Sequence, residues 1–327
     1  MRAVYITEFG APENLEIRDI PEPQKPLETQ VLVRVKAAGL NRADLLQVAG
    51  QYPPPNGYSP NLPGLEFAGE VVAIGSEVNE WKIGNRVFGI TAGESQAEYL
   101  LTEATLIARI PENLSFTEAA AVPEAFITAH DAIFTLGDLR KGDSLLVHAI
   151  GSGVGLAALQ IAKVKGATVI GTSRTADKLV KCNDFGLDHG ITTSELNFAD
   201  DVKEKTGGKG VDVILDLVGA AYFEQNLASL AMKGRLILVG LTSGRTAEFN
   251  LGLALQKRAR IIGTMLRGRP NDEKAAVTKL FAEEIVPLFE SGAIKPNIDR
   301  IFSASEVVAA YNYLKSNVSF GKVVLEF

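Results

Sequence analysis

The amino-acid sequence predicts an α/β protein in which a doubly wound parallel sheet is combined with a mainly β domain. Three observations support this fold class. Short strand-like runs separated by Pro and Gly fill the first third of the chain. From about Pro123, apolar strand-like runs alternate with helical runs, as expected of parallel strands that are covered on both faces. The chain has 327 residues, more than one hydrophobic core usually serves, so two domains are expected.

The order of these runs predicts where the domains begin and end. The N-terminal strands include VLVRVKAAG, GEVVAIG and RVFGI, and the terminal run GKVVLEF has a similar strand-like composition. A long helix around KAAVTKLFAEEIVPLFESG is expected to precede that terminal run. We therefore predict one domain from residues 1–122 and 268–327, completed by the returning chain, and a nucleotide-binding domain from residues 123–267.

Composition excludes several classes of function. The 33 Lys and Arg against 39 Asp and Glu give a charge of −6 without a dense basic stretch, which argues against a nucleic-acid partner. The sequence lacks a membrane-length apolar run and a signal-peptide pattern, so a cytoplasmic protein is expected. Cys182, the single cysteine, is expected to fill apolar space, and the three histidines are too scattered for a metal site. His148 is expected to lie in the strand LLVHAI and to bond a neighbouring carbonyl group.

The segment LLVHAIGSGVGLAALQ has the order strand, glycine turn and helix that places a pyrophosphate at a helix N-terminus. Its glycines do not match GxGxxG cleanly, because Leu156 stands where the last glycine is expected. The surrounding strand and helix units nevertheless favour a dinucleotide site over a turn made only for packing. The predicted contacts in this turn are Gly151, Ser152, Gly153 and Val154.

The end of the following strand, TVIGTSRTADK, predicts the preferred cofactor. An acidic residue there would bind the ribose of NAD, but the strand ends in a hydroxyl and is followed by two cations. Ser173, Arg174 and Lys178 suit the 2′-phosphate of NADPH through charge-assisted hydrogen bonds. Alternatively, Arg174 and Lys178 are solvated surface charges.

The motifs NRAD, GQYPPP, GLEFAGEVVAIG, PEAFITA and GKVVLEF extend over the whole chain. With them the chain closely resembles the zinc-free quinone oxidoreductases of the medium-chain dehydrogenase/reductase superfamily, most of all the tumour-suppressor-inducible branch. The resemblance implies a Rossmann-like NADPH-binding domain and a GroES-like N-terminal domain. It also implies an NADPH-dependent, zinc-independent quinone reductase.

The more distant zinc alcohol dehydrogenases have a cysteine and a histidine where this chain has Asn41 and Leu65. Their four-cysteine loop is also missing, because RVFGI leads through TAGESQ directly to AEYLL. Without the metal as Lewis acid, the expected acceptor is one that takes a hydride with little electrophilic help, such as a quinone. Glu66 is either a remnant of that metal site or a local hydrogen-bond acceptor.

The resemblance also implies further site residues. Asn41 and Tyr52 are expected to hydrogen-bond a quinone oxygen or to orient the nicotinamide, although either could serve only the local structure. Thr128 is expected to lie against the nicotinamide, or else to be an ordinary helix threonine that bonds back to its own backbone. The remaining predicted cofactor contacts lie just after strand ends or in charged motifs: Val218, Leu241, Thr242, Ser243, Arg267 and Lys322. For Arg267 and Lys322 the alternative is a solvated surface charge.

Two other functions stay open at this point. The same fold and hydride geometry would serve an NADPH-dependent enal or enone double-bond reductase. An NADPH-binding structural or RNA-binding protein is the non-enzymatic alternative, which the negative charge disfavours for RNA. The run RIIGTML is expected at a sheet edge, where relatives pair, so a homodimer or homotetramer is predicted.

Overall fold

The structure is a computed structural model and describes residues 1–193 and 196–327. The chain forms two compact units, which we call unit 1 (residues 1–127 and 266–327) and unit 2 (residues 128–265). Residues 123–127, 266 and 267, which were expected in the nucleotide-binding domain, are grouped with unit 1. The assignment of separate functions to the two parts stays a prediction.

Unit 1 begins with a mainly β segment. Its elements up to the start of unit 2 are β1 (Arg2–Ile6), β2 (Leu15–Asp19), β3 (Gln30–Leu40), α1 (Arg42–Val48), β4 (Glu66–Ile74), β5 (Arg86–Ile90), β6 (Tyr99–Glu103), β7 (Ile107–Arg109), α2 (Phe116–Ala120) and α3 (Pro123–His130). Short 3₁₀ turns lie at Pro12–Asn14 and Ala104–Leu106. The last residues of α3 belong to unit 2, where a π-helix at Asp131–Leu136 follows directly.

Unit 2 alternates strands and helices. Its elements are β8 (Ser144–Val147), α4 (Gly153–Val164), β9 (Thr168–Ser173), α5 (Ala176–Cys182), β10 (His189–Thr192), α6 (Ala199–Lys205), β11 (Val211–Asp216), α7 (Phe223–Ser229), β12 (Leu230–Leu238), α8 (Leu251–Lys257) and β13 (Arg260–Gly263), with 3₁₀ turns at Asn183–Phe185 and Ala220–Tyr222. The strands are parallel and lie in the order β10-β9-β8-β11-β12-β13. This is the doubly wound order of dinucleotide-binding sheets, which confirms the predicted fold class.

The chain then returns to unit 1 through α9 (Asn271–Glu284), α10 (Val286–Glu290), β14 (Ile298–Ser303), a 3₁₀ turn (Ala304–Glu306), α11 (Val307–Lys315) and β15 (Lys322–Glu326). β15 pairs antiparallel with β3 in a seven-stranded sheet, so the returning chain completes the N-terminal fold as predicted. The single long helix expected around residues 274–292 was wrong. It is two helices, because Pro287 has no backbone N–H to donate to the Glu283 carbonyl and its ring crowds that carbonyl, so α9 ends at Glu284 and α10 begins at Val286.

Each unit has its own apolar core. In unit 2, Leu146, Ile170 and Ile214 from neighbouring strands pack with Phe198 and are less than 1% exposed. In unit 1, Val33, Phe67 and Val87 pack on one face of the seven-stranded sheet. Buried apolar area of this kind is the main favourable contribution to the stability of each unit. None of the described helices combines the length and the apolar character that crossing a membrane requires.

Candidate functional site

The turn that joins β8 to α4 lies where the strand order of the parallel sheet reverses, the usual ligand position in such sheets. Ser152 caps α4, since its Oγ accepts a hydrogen bond of 3.1 Å from the N–H of Gly155. A Cβ at Gly155 would lie 2.6 Å from the Ile150 carbonyl oxygen, so glycine is needed for the helix to pack this closely on the turn. The N–H groups of Gly153 and Val154 are the first two of α4 and have no acceptor within the helix itself.

These features fit the pyrophosphate of a dinucleotide. The N–H groups of Gly153 and Val154 lie at the start of a twelve-residue helix, where the helix dipole favours negative charge. Gly151, buried in the turn, adds no side chain that would keep an anion away from these groups. The predicted contacts at Gly151, Ser152, Gly153 and Val154 are therefore brought together, with the Ser152 side chain used as a helix cap.

The predicted 2′-phosphate contacts lie at the carboxyl end of β9, the neighbour of β8. Ser173 is the last residue of β9, and its Oγ accepts a hydrogen bond of 3.2 Å from the Thr175 N–H. Arg174 is exposed, and Lys178 is half-buried one turn into α5. The first acidic residue after the strand is the exposed Asp177, inside α5. The strand end therefore carries no carboxylate, as the sequence predicts.

Two loops at the carboxyl ends of β11 and β12 contact each other. The Ser243 N–H and Oγ both donate to the Val218 carbonyl oxygen, at 2.8 and 2.9 Å. Thr242 and Leu241 are exposed beside them. A Cβ at Gly219 would lie 2.9 Å from the Leu241 Cα, so the two loops touch without spare space. The structure thus brings together the predicted cofactor contacts at 218 and 241–243.

A buried chain of polar side chains lies beneath these loops. His148 immediately follows β8 and is fully buried, and its ring nitrogens lie 2.8 Å from Thr172 Oγ1 and 2.6 Å from Asn226 Oδ1. Asn226 Nδ2 donates to Asp216 Oδ2 at 3.0 Å. Burial lowers the pKa of His148 to about 4, so the ring is neutral at neutral pH. The expected carbonyl partner is the side-chain carbonyl of Asn226, and the Thr172 hydroxyl is a second partner that the sequence did not indicate.

In unit 1, Glu66, Asn41 and Lys322 form a buried group that we call the lysine cluster. Lys322 Nζ donates to Glu66 Oε1 at 2.5 Å, Asn41 Oδ1 at 2.7 Å and the Leu40 carbonyl oxygen at 2.8 Å. Asn41 Nδ2 donates to the same Glu66 oxygen at 2.8 Å. Glu66 Oε2 accepts from the backbone N–H of Glu124 at 2.9 Å and so caps the start of α3.

The lysine cluster shows the local role of Glu66 and limits two predicted roles. Glu66 is a local acceptor with donors from three elements. All three hydrogens of the Lys322 ammonium have partners inside unit 1, an arrangement that does not favour the predicted cofactor contact. The Asn41 amide is bonded through both its oxygen and its nitrogen, so its predicted contact with an acceptor is not favoured either.

Arg267 is also held within unit 1. It is 4% exposed and donates to the carbonyl oxygens of Ala92 and Tyr52, at 2.7 and 2.8 Å, and to Gln47 Oε1 at 2.5 Å. Its guanidinium also lies 5.1 Å from the centre of the Tyr52 ring. The predicted phosphate contact is not favoured, because the guanidinium instead fixes the segment that carries Tyr52.

Two half-buried groups of unit 1 carry polar atoms without hydrogen-bond partners among the described residues: the Tyr52 hydroxyl and the Glu124 carboxyl. Burial, and then the nearby Glu66, raise the pKa of Glu124 to about 8, so this carboxyl is protonated at neutral pH. Burial and then Glu124 raise the pKa of Tyr52. Burial raises the pKa of Asp44, which accepts the N–H of Asn41, to about 6.

Sequence reasoning missed Glu124 although the motif PEAFITA contains it. From that motif only Thr128 was selected, which is half-buried in α3. The available signal was an acidic residue directly after a helix-starting proline, in a segment otherwise rich in apolar residues. The buried Asp216 and Asn226 were also missed, because their burial depends on the packing of α7 on the sheet.

The residues present do not fit a zinc ion. No group of three or more His, Cys, Asp or Glu side chains in residues 1–193 and 196–327 could hold a metal. The Asn41 and Glu66 side chains, which stand at or beside the ligand positions of the zinc alcohol dehydrogenases, already bind an ammonium group. An amide, a leucine and a carboxylate neutralised by lysine are a poor donor set for zinc.

Comparisons with known proteins match both parts of the chain. Residues 27–131 match the alcohol dehydrogenase GroES-like domain, and residues 153–283 match the zinc-binding dehydrogenase family. Human quinone oxidoreductase is 33% identical over 330 residues, which cover 99% of this chain and 97% of that protein.

Solved structures are similar to this chain over its whole length as well. The Escherichia coli quinone oxidoreductase complexed with NADPH has a TM-score of 0.89 and 30% identity, with 100% of both chains covered. The CurK enoyl reductase has a TM-score of 0.87 and 28% identity over 99% of this chain and 98% of that chain. The similarity extends over the full length of both units.

Proposed function

Because the chain belongs to the quinone oxidoreductase family of the medium-chain dehydrogenase/reductase superfamily, we propose that it is an NADPH-dependent quinone reductase. The observation that carries this proposal is the lysine cluster. An ammonium group binds Glu66 beside the positions where zinc-dependent relatives have metal ligands, which supports an acceptor that needs no Lewis acid. A quinone meets this requirement, since hydride addition gives an aromatic hydroquinone anion.

NADPH, when bound, supplies the hydride. Unit 2 provides the residues for binding it. The N–H groups of Gly153 and Val154 bind the pyrophosphate, and the loops at Val218 and at 241–243 bind the nicotinamide end together with Thr128. Ser173, Arg174 and Lys178 bind the 2′-phosphate, which selects NADPH over NADH.

The acceptor side uses groups of unit 1. Tyr52 and Glu124 have polar atoms free to hydrogen-bond an acceptor oxygen, whereas Asn41 is held in the lysine cluster and fixes the start of α1. The Glu124 carboxyl is protonated at neutral pH and delivers its proton from the carboxyl oxygen to the reduced acceptor. Solvent then returns a proton to Glu124. Positioning of the two reactants and this proton source supply the catalysis.

Reduction of an activated carbon-carbon double bond is the second candidate. The CurK enoyl reductase is a structural neighbour, and a protonated carboxyl such as Glu124 would serve equally to protonate the α-carbon of an enolate. The two candidates differ in the acceptor that the site holds, since the hydride donor and the proton source are shared.

We also propose that the protein is a homodimer in the cytoplasm. β13 is the edge strand of the parallel sheet, and the neighbouring α8 exposes Leu251 and Leu255 by 73% and 79%. An apolar surface beside an unpaired strand edge suits a second copy of the chain. A homotetramer would require a further contact surface.

The test is NADPH consumption by purified, chelator-treated protein with ortho- and para-quinones, an enone and an aldehyde, and with NADH in parallel. Fast quinone turnover with NADPH, unchanged by the chelator, is expected. Fast enone turnover with negligible quinone turnover would replace the first candidate by the second. NADPH binding without turnover of any acceptor would leave a binding protein instead of an enzyme.

A further inference from the structure

The buried polar chain of unit 2 connects the two ends of the cofactor site that we propose. It comprises Thr172, His148, Asn226 and Asp216, and each of these residues is at most 1% exposed. This row of hydrogen-bonded side chains crosses the carboxyl ends of three adjacent strands, because Thr172 lies in β9, His148 follows β8 and Asp216 ends β11. We call these four residues the polar chain.

The donors and acceptors of the polar chain have one consistent direction. Asn226 Nδ2 donates to Asp216 Oδ2, so Asn226 Oδ1 faces His148 Nε2 and can only accept. The neutral imidazole therefore carries its hydrogen on Nε2, and its Nδ1 accepts the Thr172 hydroxyl hydrogen. Within the polar chain each donated hydrogen has one acceptor, so loss of the Thr172 hydroxyl leaves His148 Nδ1 without a donor.

The Asp216 end of the polar chain fixes the nicotinamide-side loops. Asp216 Oδ1 accepts the N–H groups of Val218 at 2.7 Å and Gly219 at 2.9 Å. Val218 in turn accepts two hydrogen bonds from Ser243, and Gly219 lies against Leu241. The position of the Asp216 carboxylate therefore determines where both loops lie.

The Thr172 end adjoins the phosphate side. Thr172 precedes Ser173 and Arg174, and its carbonyl oxygen accepts the N–H of Ile150 in the glycine turn at 3.0 Å. The polar chain is thus bonded to the phosphate-binding turn at one end and to the nicotinamide-binding loops at the other. None of its side chains is accessible to a ligand, so it can act only through these loops.

We propose that the polar chain sets the spacing between the phosphate-binding and nicotinamide-binding loops, which makes Thr172, His148, Asn226 and Asp216 positioning residues for NADPH. This inference rests on the proposed function for the identity of the cofactor. A cofactor that spans both loops gains its full affinity only when they are correctly spaced. Loss of one bond in the polar chain should therefore weaken NADPH binding without direct contact.

The test uses Thr172→Val, which keeps the side-chain shape and removes the hydroxyl, with Thr172→Ser as the variant that restores it. Tyr222→Phe is the matched control, since the Tyr222 hydroxyl makes a buried hydrogen bond of 2.6 Å to Thr193 Oγ1, outside the polar chain. The dissociation constant of NADPH is measured by nicotinamide fluorescence. Thr172→Val should raise it about tenfold, and the serine and phenylalanine variants less than about twofold.

A second measurement needs no cofactor. Amide hydrogen exchange of the segment that contains Val218 and Gly219 should become about tenfold faster in Thr172→Val and stay unchanged in Tyr222→Phe. The inference would be overturned if Thr172→Val left both the hydrogen exchange and the NADPH dissociation constant unchanged. It would also be overturned if the Tyr222→Phe control changed both quantities equally. Neither result would affect the proposed function. Failure of the unmodified protein to bind NADPH would overturn the proposed function as well.

Discussion

Glu124 gives the most quantitative prediction. Replacing Glu124 by Gln keeps the size of the side chain and removes the carboxyl that titrates. The ordinary pKa of such a carboxyl is 4.5, and that of Glu124 is about 8 because burial and the nearby Glu66 disfavour its charged form. The folded protein therefore binds more protons than the unfolded chain between these pH values.

The magnitude follows from this difference. As the pH rises between the two pKa values, the free energy of unfolding of the unmodified protein falls by about 1.4 kcal/mol per pH unit. From about pH 6 to about pH 8 this amounts to about 2.3 kcal/mol, because the slope halves as Glu124 becomes half ionised at its pKa, and partial exposure of Glu124 reduces it to about 2 kcal/mol. The free energy of unfolding of Glu124→Gln should not fall in this way. The difference in this free energy between Glu124→Gln and the unmodified protein should therefore grow by about 2 kcal/mol from about pH 6 to about pH 8. Asp44, with a pKa of about 6, titrates in both proteins and cancels in the difference.

Urea unfolding followed by tryptophan fluorescence measures this effect. Trp81, the only tryptophan of the sequence, lies in unit 1 and donates to the Ala104 carbonyl oxygen at 3.0 Å, so its emission reports the unfolding of that unit. Glu112→Gln, at an exposed carboxylate of the same unit, is the control and should show no pH-dependent difference. A difference between Glu124→Gln and the unmodified protein that is the same at both pH values would refute the reasoning.

Three other predictions concern activity and assembly. Replacing both Arg174 and Lys178 by Ala should raise the KM for NADPH about tenfold or more and leave the KM for NADH nearly unchanged in steady-state assays; equal effects on both cofactors would contradict a 2′-phosphate contact. Glu124→Gln and Tyr52→Phe should each lower kcat with a quinone about tenfold to a hundredfold. The unmodified protein should lose activity above about pH 8, and only Glu124→Gln should abolish this loss. If the pH profile of kcat in Glu124→Gln is the same as in the unmodified protein, Glu124 is excluded as the proton source. Leu255→Glu should shift the molar mass measured by light scattering from dimer to monomer, and an unchanged mass would exclude the α8 surface as the interface.

Features that depend on local chain geometry could be predicted from the sequence. The glycine turn was found because close packing of α4 on the turn leaves no room for a side chain at Gly155. The parallel sheet was found because its inner strands are apolar throughout and alternate with helical runs in the sequence. The return of the chain to unit 1 was predicted because the composition of its last strand, β15, resembles that of the N-terminal strands.

Features that depend on partners from distant segments could not be predicted. Lys322 and Arg267 were expected to contact the cofactor because a lone cation in a motif does not reveal an acceptor far away in the sequence. The raised pKa of Glu124 arises from burial and from Glu66, which lies 58 residues earlier in the sequence. The partners of His148 could not be named from the sequence, because its bonds to Thr172 and Asn226 exist only after the sheet has assembled.

The lysine cluster also constrains the order in which the protein can fold during synthesis. Glu66 and Lys322 are 256 residues apart, and the whole of unit 2 lies between them in the sequence. Until the ribosome has passed Lys322, Glu66 has no ammonium partner, and a buried carboxylate without one is strongly destabilising. Unit 2 is a continuous segment and can fold as soon as it has emerged. The inserted unit is therefore expected to fold first, and the unit that begins the chain to finish last.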